Sequence, residues 1–199
     1  MFDVLFRLSL REQNQLIVHC EDIIKKAPLF QKTMRGGAKF KYLCTSAGEY
    51  GWISDNKGFR YVDTHPITQE TFPEIPSSIQ DIVERVATEL HQPTRPESML
   101  INWYTESSSL GLHIDKTEKS DAPVISISLG DACLFVKGGL KKSDAKETIT
   151  LHSGDVFVMS GEERYCYHGV KKIIPNTAPK ELLMAGNGRF NITIRQVYA

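Results

Sequence analysis

Two segments in the first half of the chain place apolar residues at helical spacing. The first follows Ser9, and Glu12 completes with it the Ser-x-x-Glu pattern of an N-terminal capping box. Pro28 is expected to end this helix, and the second helix runs from residue 77 or 78 to a point before Pro93. The apolar positions are Leu10, Leu16, Ile17, Cys20, Ile23 and Ile24 in the first segment, and Ile79, Ile82, Val83, Val86 and Leu90 in the second.

Between these helices, residues 31–76 are rich in Gly, Pro, Lys and aromatic residues and have no helical period. Within them, residues 48–63 read GEYGWISDNKGFRYVD, where the turn sequence DNKG separates two aromatic arms. This pattern predicts a β-hairpin.

From residue 98 onward the chain consists of short segments rich in β-branched and aromatic residues, separated by turn sequences such as GGLKKSD and HSGD. The eight segments are residues 99–104, 110–115, 124–130, 132–137, 147–152, 155–160, 165–170 and 189–197. Strands at this spacing are typical of a sandwich or barrel. The sequence therefore predicts an α+β fold, with helices and a hairpin lid in residues 1–97, a jelly-roll-like core in residues 98–199, and both parts in one compact unit.

The composition agrees with one globular domain of 199 residues, 41% of them hydrophobic and 24% charged. The 24 basic and 24 acidic residues cancel, which disfavours a protein that coats nucleic acid nonspecifically. Residues 31–60 still carry six basic and two acidic residues, and residues 137–146 carry four lysines and one aspartate. These patches are expected either to contact phosphates or to be ordinary solvated surface.

The compartment can be inferred from cysteine usage and from the absence of targeting patterns. The four cysteines lack CxxC spacing, which favours reduced thiols. The start of the chain has no signal-peptide pattern, and no apolar run reaches the length of a membrane span. We therefore expect a cytoplasmic protein with no membrane partner.

The stretch LHIDKTE contains the first candidate metal ligands. His113 and Asp115 are two positions apart in a predicted strand, so their side chains share a face. Among the other histidines, His168 lies on a late predicted strand that a jelly roll can bring opposite the first. Two histidines and one carboxylate form the facial triad of non-haem Fe(II) oxygenases. The alternative is a chance His-x-Asp pair and a core histidine.

Polar residues on two further predicted strands suggest a site for an anion. Four of them occupy alternate positions of the last strand and share a face: Arg189, Asn191, Thr193 and Arg195. Two arginines on a core strand are unfavourable unless anions pair with them, and a dicarboxylate offers two anions. Asn102 and Tyr104 share a face in the same way. The alternative is an edge strand whose polar groups are solvated.

Together these motifs resemble the AlkB family of nucleobase dealkylases. The matching segments, between about residues 51 and 196, are NWY, LHIDK, APVISISLG, FVKGGLKK, GDVFVMSGEERYCYHGV and RFNITIR. The His-x-Asp motif with a distal histidine, combined with the RxNxTxR strand, is far more specific than either alone. AlkB-like proteins are Fe(II)- and 2-oxoglutarate-dependent dioxygenases built on a double-stranded β-helix, so the resemblance implies that fold here.

The resemblance also implies a role for each polar group. His113, Asp115 and His168 would bind Fe(II); Arg195 and Arg189 would pair with the near and distal carboxylates of 2-oxoglutarate; Asn102, Tyr104 and Asn191 would hydrogen-bond it. With O₂, the enzyme would oxidise alkyl groups such as methyl on damaged bases in DNA or RNA, releasing formaldehyde, succinate and CO₂. The base would be flipped out of a duplex or already single-stranded. We expect the protein to be a monomer.

The residues expected to contact the substrate are Trp52, Phe59, Tyr61, Lys116, Thr117 and Lys142. Trp52 and Phe59 align with aromatic positions of the family's nucleotide-recognition lid, whereas the two lysines are expected near phosphates. The alternative for the aromatic residues is packing within the hairpin. Thr117 stands where the bacterial founder of the family has an acidic residue, and Phe59 stands where it has a tyrosine. The resemblance therefore does not predict which base is preferred.

Two other functions remain as alternatives. The first is a 2-oxoglutarate oxygenase that acts on protein or on a small molecule, against which the aromatic hairpin and the basic patches argue. The second is a catalytically silent module that binds alkylated bases. The presence of all three candidate ligands and both arginines disfavours it.

Overall fold

The computed structural model describes residues 1–184 and 186–198. Its helices are α1 (Leu10–Lys26), α2 (Ser77–Leu90) and a short 3-10 helix (Gly161–Tyr165). Its strands are β1 (Phe2–Arg7), β2 (Leu43–Gly48), β3 (Gly51–Asp55), β4 (Gly58–Val62), β5 (Ser98–Tyr104), β6 (Leu110–His113), β7 (Val124–Gly130), β8 (Ala132–Lys137), β9 (Glu147–Leu151), β10 (Asp155–Met159), β11 (His168–Ile174) and β12 (Arg189–Arg195).

Both predicted α-helices are confirmed. Helix α1 begins with the capping box, in which the Ser9 hydroxyl accepts a hydrogen bond from the backbone N–H of Glu12 and the Glu12 carboxylate accepts one from the backbone N–H of Ser9. The buried positions of α2 are Ile79, Ile82, Val83 and Val86, all from the predicted apolar stripe. Among the described residues, no helix has the length and apolar character that crossing a membrane requires.

The strands form two antiparallel sheets and a separate hairpin. The large sheet has the order β1-β10-β7-β12-β5-β2, the small sheet has the order β6-β11-β8-β9, and β3 pairs with β4. One apolar cluster joins α1 and α2 to one face of the large sheet, and a second cluster joins the opposite face to the small sheet. The predicted double-stranded β-helix with N-terminal helices and a hairpin is confirmed.

Strand β12 shows how one sequence serves both faces of the large sheet. Phe190, Ile192 and Ile194 belong to the apolar cluster beneath the helices. The alternate residues, from Arg189 to Arg195, line a cavity on the other face. Because successive side chains of a strand point to opposite faces, a two-residue polar period places charged groups inside the molecule without interrupting the helix-side core.

The main differences from the sequence prediction concern β1, β2 and the bounds of β6 and β11. Strands β1 and β2 were not predicted, yet β1 pairs with β10 and β2 pairs with β5. Residues 165–167 precede β11 rather than belong to it, and β6 ends at His113, so Asp115 lies just beyond the strand. The division after residue 97 stays a prediction, and the large sheet takes strands from both sides of it.

Candidate active site

The three predicted metal ligands lie together between the two sheets. His168, at the start of β11, pairs in register with His113, at the end of β6. The two imidazole centroids are 4.3 Å apart, and His113 Nε2 lies 3.5 Å from Asp115 Oδ1. One potential ligand atom from each of the three residues falls within 4.8 Å of the others. This spacing fits a single ion bound by two imidazoles and a carboxylate.

Backbone carbonyl groups orient both histidines. His113 Nδ1 lies 3.0 Å from the carbonyl oxygen of Gly111, and His168 Nδ1 lies 3.0 Å from that of Cys166. A ring nitrogen that donates to a carbonyl carries the proton, so Nε2 is left as the ligand atom in each ring. Burial lowers the pKa of His168 to about 4, which keeps this imidazole in the neutral form that binds metals.

Asp115 is buried and is held as a carboxylate by its neighbours. Arg195 Nη2 donates to Asp115 Oδ2 at 2.6 Å, and the backbone carbonyl of Asp115 accepts from Arg164 Nη1 at 2.8 Å. Burial alone would raise the pKa of Asp115, but Arg195, His168 and His113 outweigh burial and hold it well below its usual range. Arg195 thereby occupies one carboxylate oxygen while Oδ1 faces His113.

The metal-ligand trio opens into a cavity of about 580 Å³, which four residues of β12 and both Asn102 and Tyr104 of β5 also line. Arg189 Nη2 donates to Ser128 Oγ at 2.7 Å, and Asn191 Nδ2 donates to Ser126 Oγ at 2.7 Å. Every predicted cosubstrate residue therefore contributes to the wall of one cavity.

Two guanidinium groups in this cavity have hydrogen-bond donors that the described residues do not satisfy. Arg189 is 1% exposed and its Nε has no partner; Arg195 is 7% exposed and its Nη1 has none. Buried unsatisfied donors are unfavourable, and charged donors especially so. A ligand with two carboxylates would satisfy both, so the residues present fit 2-oxoglutarate as well as a divalent metal.

The hairpin contributes aromatic residues to the mouth of the cavity. Trp52 of β3 and Phe59 of β4 stack with ring centroids 5.4 Å apart and planes 13° apart. The Trp52 Nε1–H donates to Thr117 Oγ1 at 3.3 Å, and Phe59 is 58% exposed. Lys116 also lines the cavity. These four predicted substrate residues therefore lie on the side of the cavity that solvent reaches.

Two predicted substrate residues lie elsewhere. The Tyr61 hydroxyl donates to Glu118 Oε1 at 2.5 Å, so this side chain ties the hairpin to the segment after the metal ligands and does not line the cavity. Lys142 is exposed in the loop between β8 and β9 and also lies outside the lining. A contact between Lys142 and a phosphate stays a prediction.

Sequence reasoning missed three charged residues that the fold buries around the site. The side chains of Arg164 and Glu118 are 1% and 2% exposed and pair at 3.1 Å, and Glu118 also lies 3.4 Å from Arg195. Lys32, which the local charge count places in a basic surface patch, is instead 1% exposed beneath Trp52. The local sequence does not predict the burial of these three residues, because each is buried by residues distant in sequence.

Comparisons with known proteins agree with this geometry. Residues 4–195 match the family model of the 2OG-Fe(II) oxygenase superfamily. The chain is 37% identical over 174 residues to the alpha-ketoglutarate-dependent dioxygenase AlkB homolog of Caulobacter vibrioides, covering 86% of this chain and 76% of that protein. It is 33% identical over 195 residues to the alpha-ketoglutarate-dependent dioxygenase AlkB of Escherichia coli, covering 97% and 88%.

The solved structure of OsALKBH1 is similar over nearly the whole chain. It has a TM-score of 0.86 and 30% sequence identity, and the alignment covers 98% of this chain and 95% of that one. The likeness therefore extends to the two N-terminal strands and the helices as well as to the jelly roll. Sequence motifs, site geometry, family match and overall fold together show that the chain belongs to the AlkB family of Fe(II)- and 2-oxoglutarate-dependent dioxygenases.

Proposed function

We propose that this protein oxidatively removes alkyl groups, such as methyl, from the bases of DNA or RNA. The observation that carries the proposal is that one cavity holds the His-Asp-His trio, two buried guanidinium groups with unsatisfied donors, and the Trp52–Phe59 stack. The trio and the guanidinium groups suit the cofactors of an oxygenase. The stacked rings suit a flat, apolar-faced substrate such as a nucleobase.

In this proposal, Fe(II) is held by His113, Asp115 and His168, and 2-oxoglutarate by Arg195, Arg189, Asn102, Tyr104 and Asn191. When bound, the iron, the cosubstrate and O₂ supply the oxidation that converts an N-methyl group to an N-hydroxymethyl group, which leaves as formaldehyde. Arg195 keeps Oδ2 of Asp115 engaged, so that Oδ1, which faces His113, would be left to bind the metal. Burial raises the pKa of Tyr104, so its hydroxyl stays protonated and able to donate.

A base must leave its stack to reach these ligands, because Asp115 and His168 are buried between the sheets. The exposed ring of Phe59, supported by the half-buried ring of Trp52, forms the surface on which the base stacks at the entrance. Base–aromatic stacking contributes about 1–3 kcal/mol per base and tolerates any sequence. The stack therefore provides affinity, and the inner part of the cavity positions the alkyl group.

The test measures succinate and formaldehyde from methylated DNA and RNA oligonucleotides with Fe(II) and 2-oxoglutarate. We expect His113→Ala and His168→Ala to lose both products and to bind Co²⁺ more weakly in a separate titration, while circular dichroism stays unchanged. His152→Ala is the matched control, because His152 is an exposed histidine outside the cavity. Undiminished turnover in both ligand variants would contradict the proposal.

The same assay separates the alternatives. Succinate formation that no methylated oligonucleotide stimulates, but that a protein or small molecule does, indicates an oxygenase with a different substrate. Tight binding of methylated oligonucleotides without formaldehyde release indicates a silent binding module. The unsatisfied donors of Arg189 and Arg195 favour an enzyme over a silent module. A module that uses no cosubstrate does not need buried guanidinium donors that await a carboxylate.

We further propose that the protein acts as a monomer in the cytoplasm. Cys20, Cys44, Cys133 and Cys166 are buried and form no disulfides, which suits a reducing compartment. Light scattering after size-exclusion chromatography is expected to give a mass near 22.4 kDa, and a dimer mass would contradict this part of the proposal.

A further inference from the structure

Glu118 is a buried carboxylate that has no part in the proposed chemistry. Its side chain is 2% exposed and follows Asp115 by three positions. One of its oxygens, Oε2, accepts a hydrogen bond from Arg164 Nη2 at 3.1 Å. The other, Oε1, accepts one from the Tyr61 hydroxyl at 2.5 Å and lies 3.4 Å from Arg195 Nε. The phenol of Tyr61 and the guanidinium group of Arg195 therefore share one oxygen atom.

Arg195 lies between two carboxylates and is bound unequally by them. Its Nη2 and Nε donate to Asp115 Oδ2 at 2.6 and 3.3 Å, whereas only Nε approaches Glu118. Among the described residues, Nη1 has no partner, so this nitrogen is the donor left for the carboxylate of a ligand. A guanidinium group drawn closer to Glu118 would turn away from Asp115 and would be more completely neutralised. A ligand carboxylate would then bind it more weakly.

The Tyr61 hydroxyl limits the attraction between Glu118 and Arg195. Because this hydroxyl donates to Oε1, a neutral donor satisfies an oxygen that would otherwise have only the guanidinium group beside it. Burial raises the pKa of Tyr61 above its usual value, so the hydroxyl keeps its proton and stays the donor. Tyr61 does not line the cavity. Its effect on a bound ligand must therefore pass through Glu118 and Arg195.

The same hydroxyl also holds the hairpin in place. Among the described residues, β3 and β4 pair only with each other, and an isolated two-stranded hairpin is marginally stable. Two side-chain hydrogen bonds join this hairpin to segment 114–123, one from Tyr61 to Glu118 and one from Trp52 to Thr117. The position of the hairpin and the direction of the guanidinium group consequently depend on one shared hydrogen bond.

We propose that Tyr61 is a positioning residue for Arg195 and that it couples the hairpin to the carboxylate-binding part of the cavity. The proposal rests on the proposed function, in which Arg195 holds a carboxylate of 2-oxoglutarate. With Tyr61 in place, Arg195 is left to Asp115 and to the cosubstrate. With the hairpin displaced, Glu118 draws Arg195 toward itself and the cosubstrate binds more weakly. Coupling between two sites is reciprocal, so bound 2-oxoglutarate also favours the docked hairpin.

The first test measures the binding of 2-oxoglutarate to the Co²⁺-loaded protein by isothermal titration calorimetry. We expect Tyr61→Phe to raise the dissociation constant about fivefold, which is the size of effect that one hydrogen bond produces. With Fe(II), the KM for 2-oxoglutarate is expected to rise while kcat changes little. Tyr50→Phe is the matched control, because Tyr50 precedes β3, packs against Tyr198 and lies outside the cavity. An unchanged dissociation constant in Tyr61→Phe overturns the proposal.

A double-mutant cycle tests whether the effect passes through Glu118. Glu118→Gln keeps the shape of the side chain and removes the charge that draws Arg195. In this background, Tyr61→Phe is expected to cause no further loss of 2-oxoglutarate binding. A fivefold loss in both backgrounds would show that Tyr61 acts by another route and would overturn its role as a positioning residue for Arg195.

Hydrogen exchange of the backbone amides of residues 51–62 tests the coupling from the side of the hairpin. In the Co²⁺-loaded wild type, 2-oxoglutarate is expected to slow this exchange, because the bound ligand favours the docked hairpin. In Tyr61→Phe, we expect the ligand to change the exchange hardly at all. Exchange that 2-oxoglutarate leaves unchanged in the wild type contradicts the coupling.

The two proposals can fail separately. If Tyr61→Phe weakens 2-oxoglutarate binding, but the wild type releases formaldehyde from no methylated oligonucleotide, the dealkylase proposal fails and the role of Tyr61 stands. If the wild type releases formaldehyde and Tyr61→Phe binds 2-oxoglutarate as tightly as the wild type does, the role of Tyr61 fails and the dealkylase proposal stands.

Discussion

The buried ammonium group of Lys32 affects the stability of the fold. Burial lowers the pKa of Lys32 from 10.5 to about 8, because a charged amine loses its hydration inside the protein. The unfolded chain therefore binds this proton more tightly than the folded protein does. The resulting destabilisation is present in full below about pH 8 and disappears as the pH rises from about 8 to 10.5.

We therefore expect Lys32→Met to stabilise the protein at pH 7 by about 2 kcal/mol, since the uncharged side chain removes this penalty but also removes the contact with Trp52. The gain is expected to shrink toward zero near pH 10. Urea denaturation of wild type and variant at both pH values measures it, with Lys39→Met as the exposed control. Equal stability of wild type and Lys32→Met at pH 7 would show that the ammonium carries no such penalty.

Two-residue spacing made the shared face of the proposed cosubstrate residues on β12 predictable. Arg189, Asn191 and Arg195 alternate along β12, and alternation fixes the shared face before any tertiary contact is known. Whether a single charged residue is buried cannot be predicted from its neighbours in sequence in this way. Arg164 is buried by contacts 42 to 49 positions away in sequence, and Lys32 by a hairpin that packs over it.

At the scale of elements, the sequence predicted those with a strong period. Helices α1 and α2, the hairpin and strands such as β7 and β12 all repeat apolar or polar residues at regular intervals. Strand β2 was missed because its sequence, LCTSAG, consists mostly of small and hydroxyl residues, with Thr45 and Ser46 buried nonetheless. Strand β1 was missed because it lies directly before a well-marked helix.

The irregular segment 114–123 shows how an element without secondary structure can be held rigidly. Arg164, in the 3-10 helix, donates to the carbonyl oxygens of Ala122 and Asp115 and to the carboxylate of Glu118. One guanidinium group thus binds the segment at three points along its length. The same segment carries Asp115, so the position of this proposed metal ligand depends on a helix outside the His-Asp-His trio.

We expect Arg164→Met to lower the free energy of unfolding by about 3 kcal/mol and to weaken Co²⁺ binding, because it leaves the Glu118 carboxylate buried with one cation fewer. Arg85→Met is the control, since its ion pair with Glu12 is largely exposed and is expected to contribute less than about 1 kcal/mol. Denaturation curves and metal titrations measure both effects. Equal losses in the two variants would argue against this anchoring role of Arg164.

At the scale of the whole molecule, the formal charge is zero, so attraction to nucleic acid depends on where the basic residues lie. Helices α1 and α2 cover the face of the large sheet opposite the cavity, and their basic residues are remote from any base that enters it. Lys142 lies in the loop between β8 and β9 of the small sheet. A nucleic acid bound at the cavity mouth is therefore expected to meet the basic residues of segment 31–60, which carries the hairpin, rather than those of the helices.

The salt dependence of oligonucleotide binding tests the contribution of a single lysine. If Lys142 contacts one phosphate, Lys142→Ala is expected to reduce the slope of log K against log salt concentration by about 0.7 for a single strand. Lys26→Ala, at the end of α1, is expected to leave the slope unchanged. Fluorescence anisotropy at several salt concentrations measures both, and an unchanged slope in Lys142→Ala would remove this lysine from the binding surface.

The position of β12 has a consequence for how the protein is made. It is the last strand in chain order, yet it lies between β7 and β5 in the middle of the large sheet. During synthesis, its two neighbours emerge from the ribosome with a gap between them, and the sheet closes only when β12 arrives. Pairings that distant in sequence form slowly. We therefore expect nascent chains to need protection from aggregation until β12 inserts, and to acquire oxygenase chemistry only at that step.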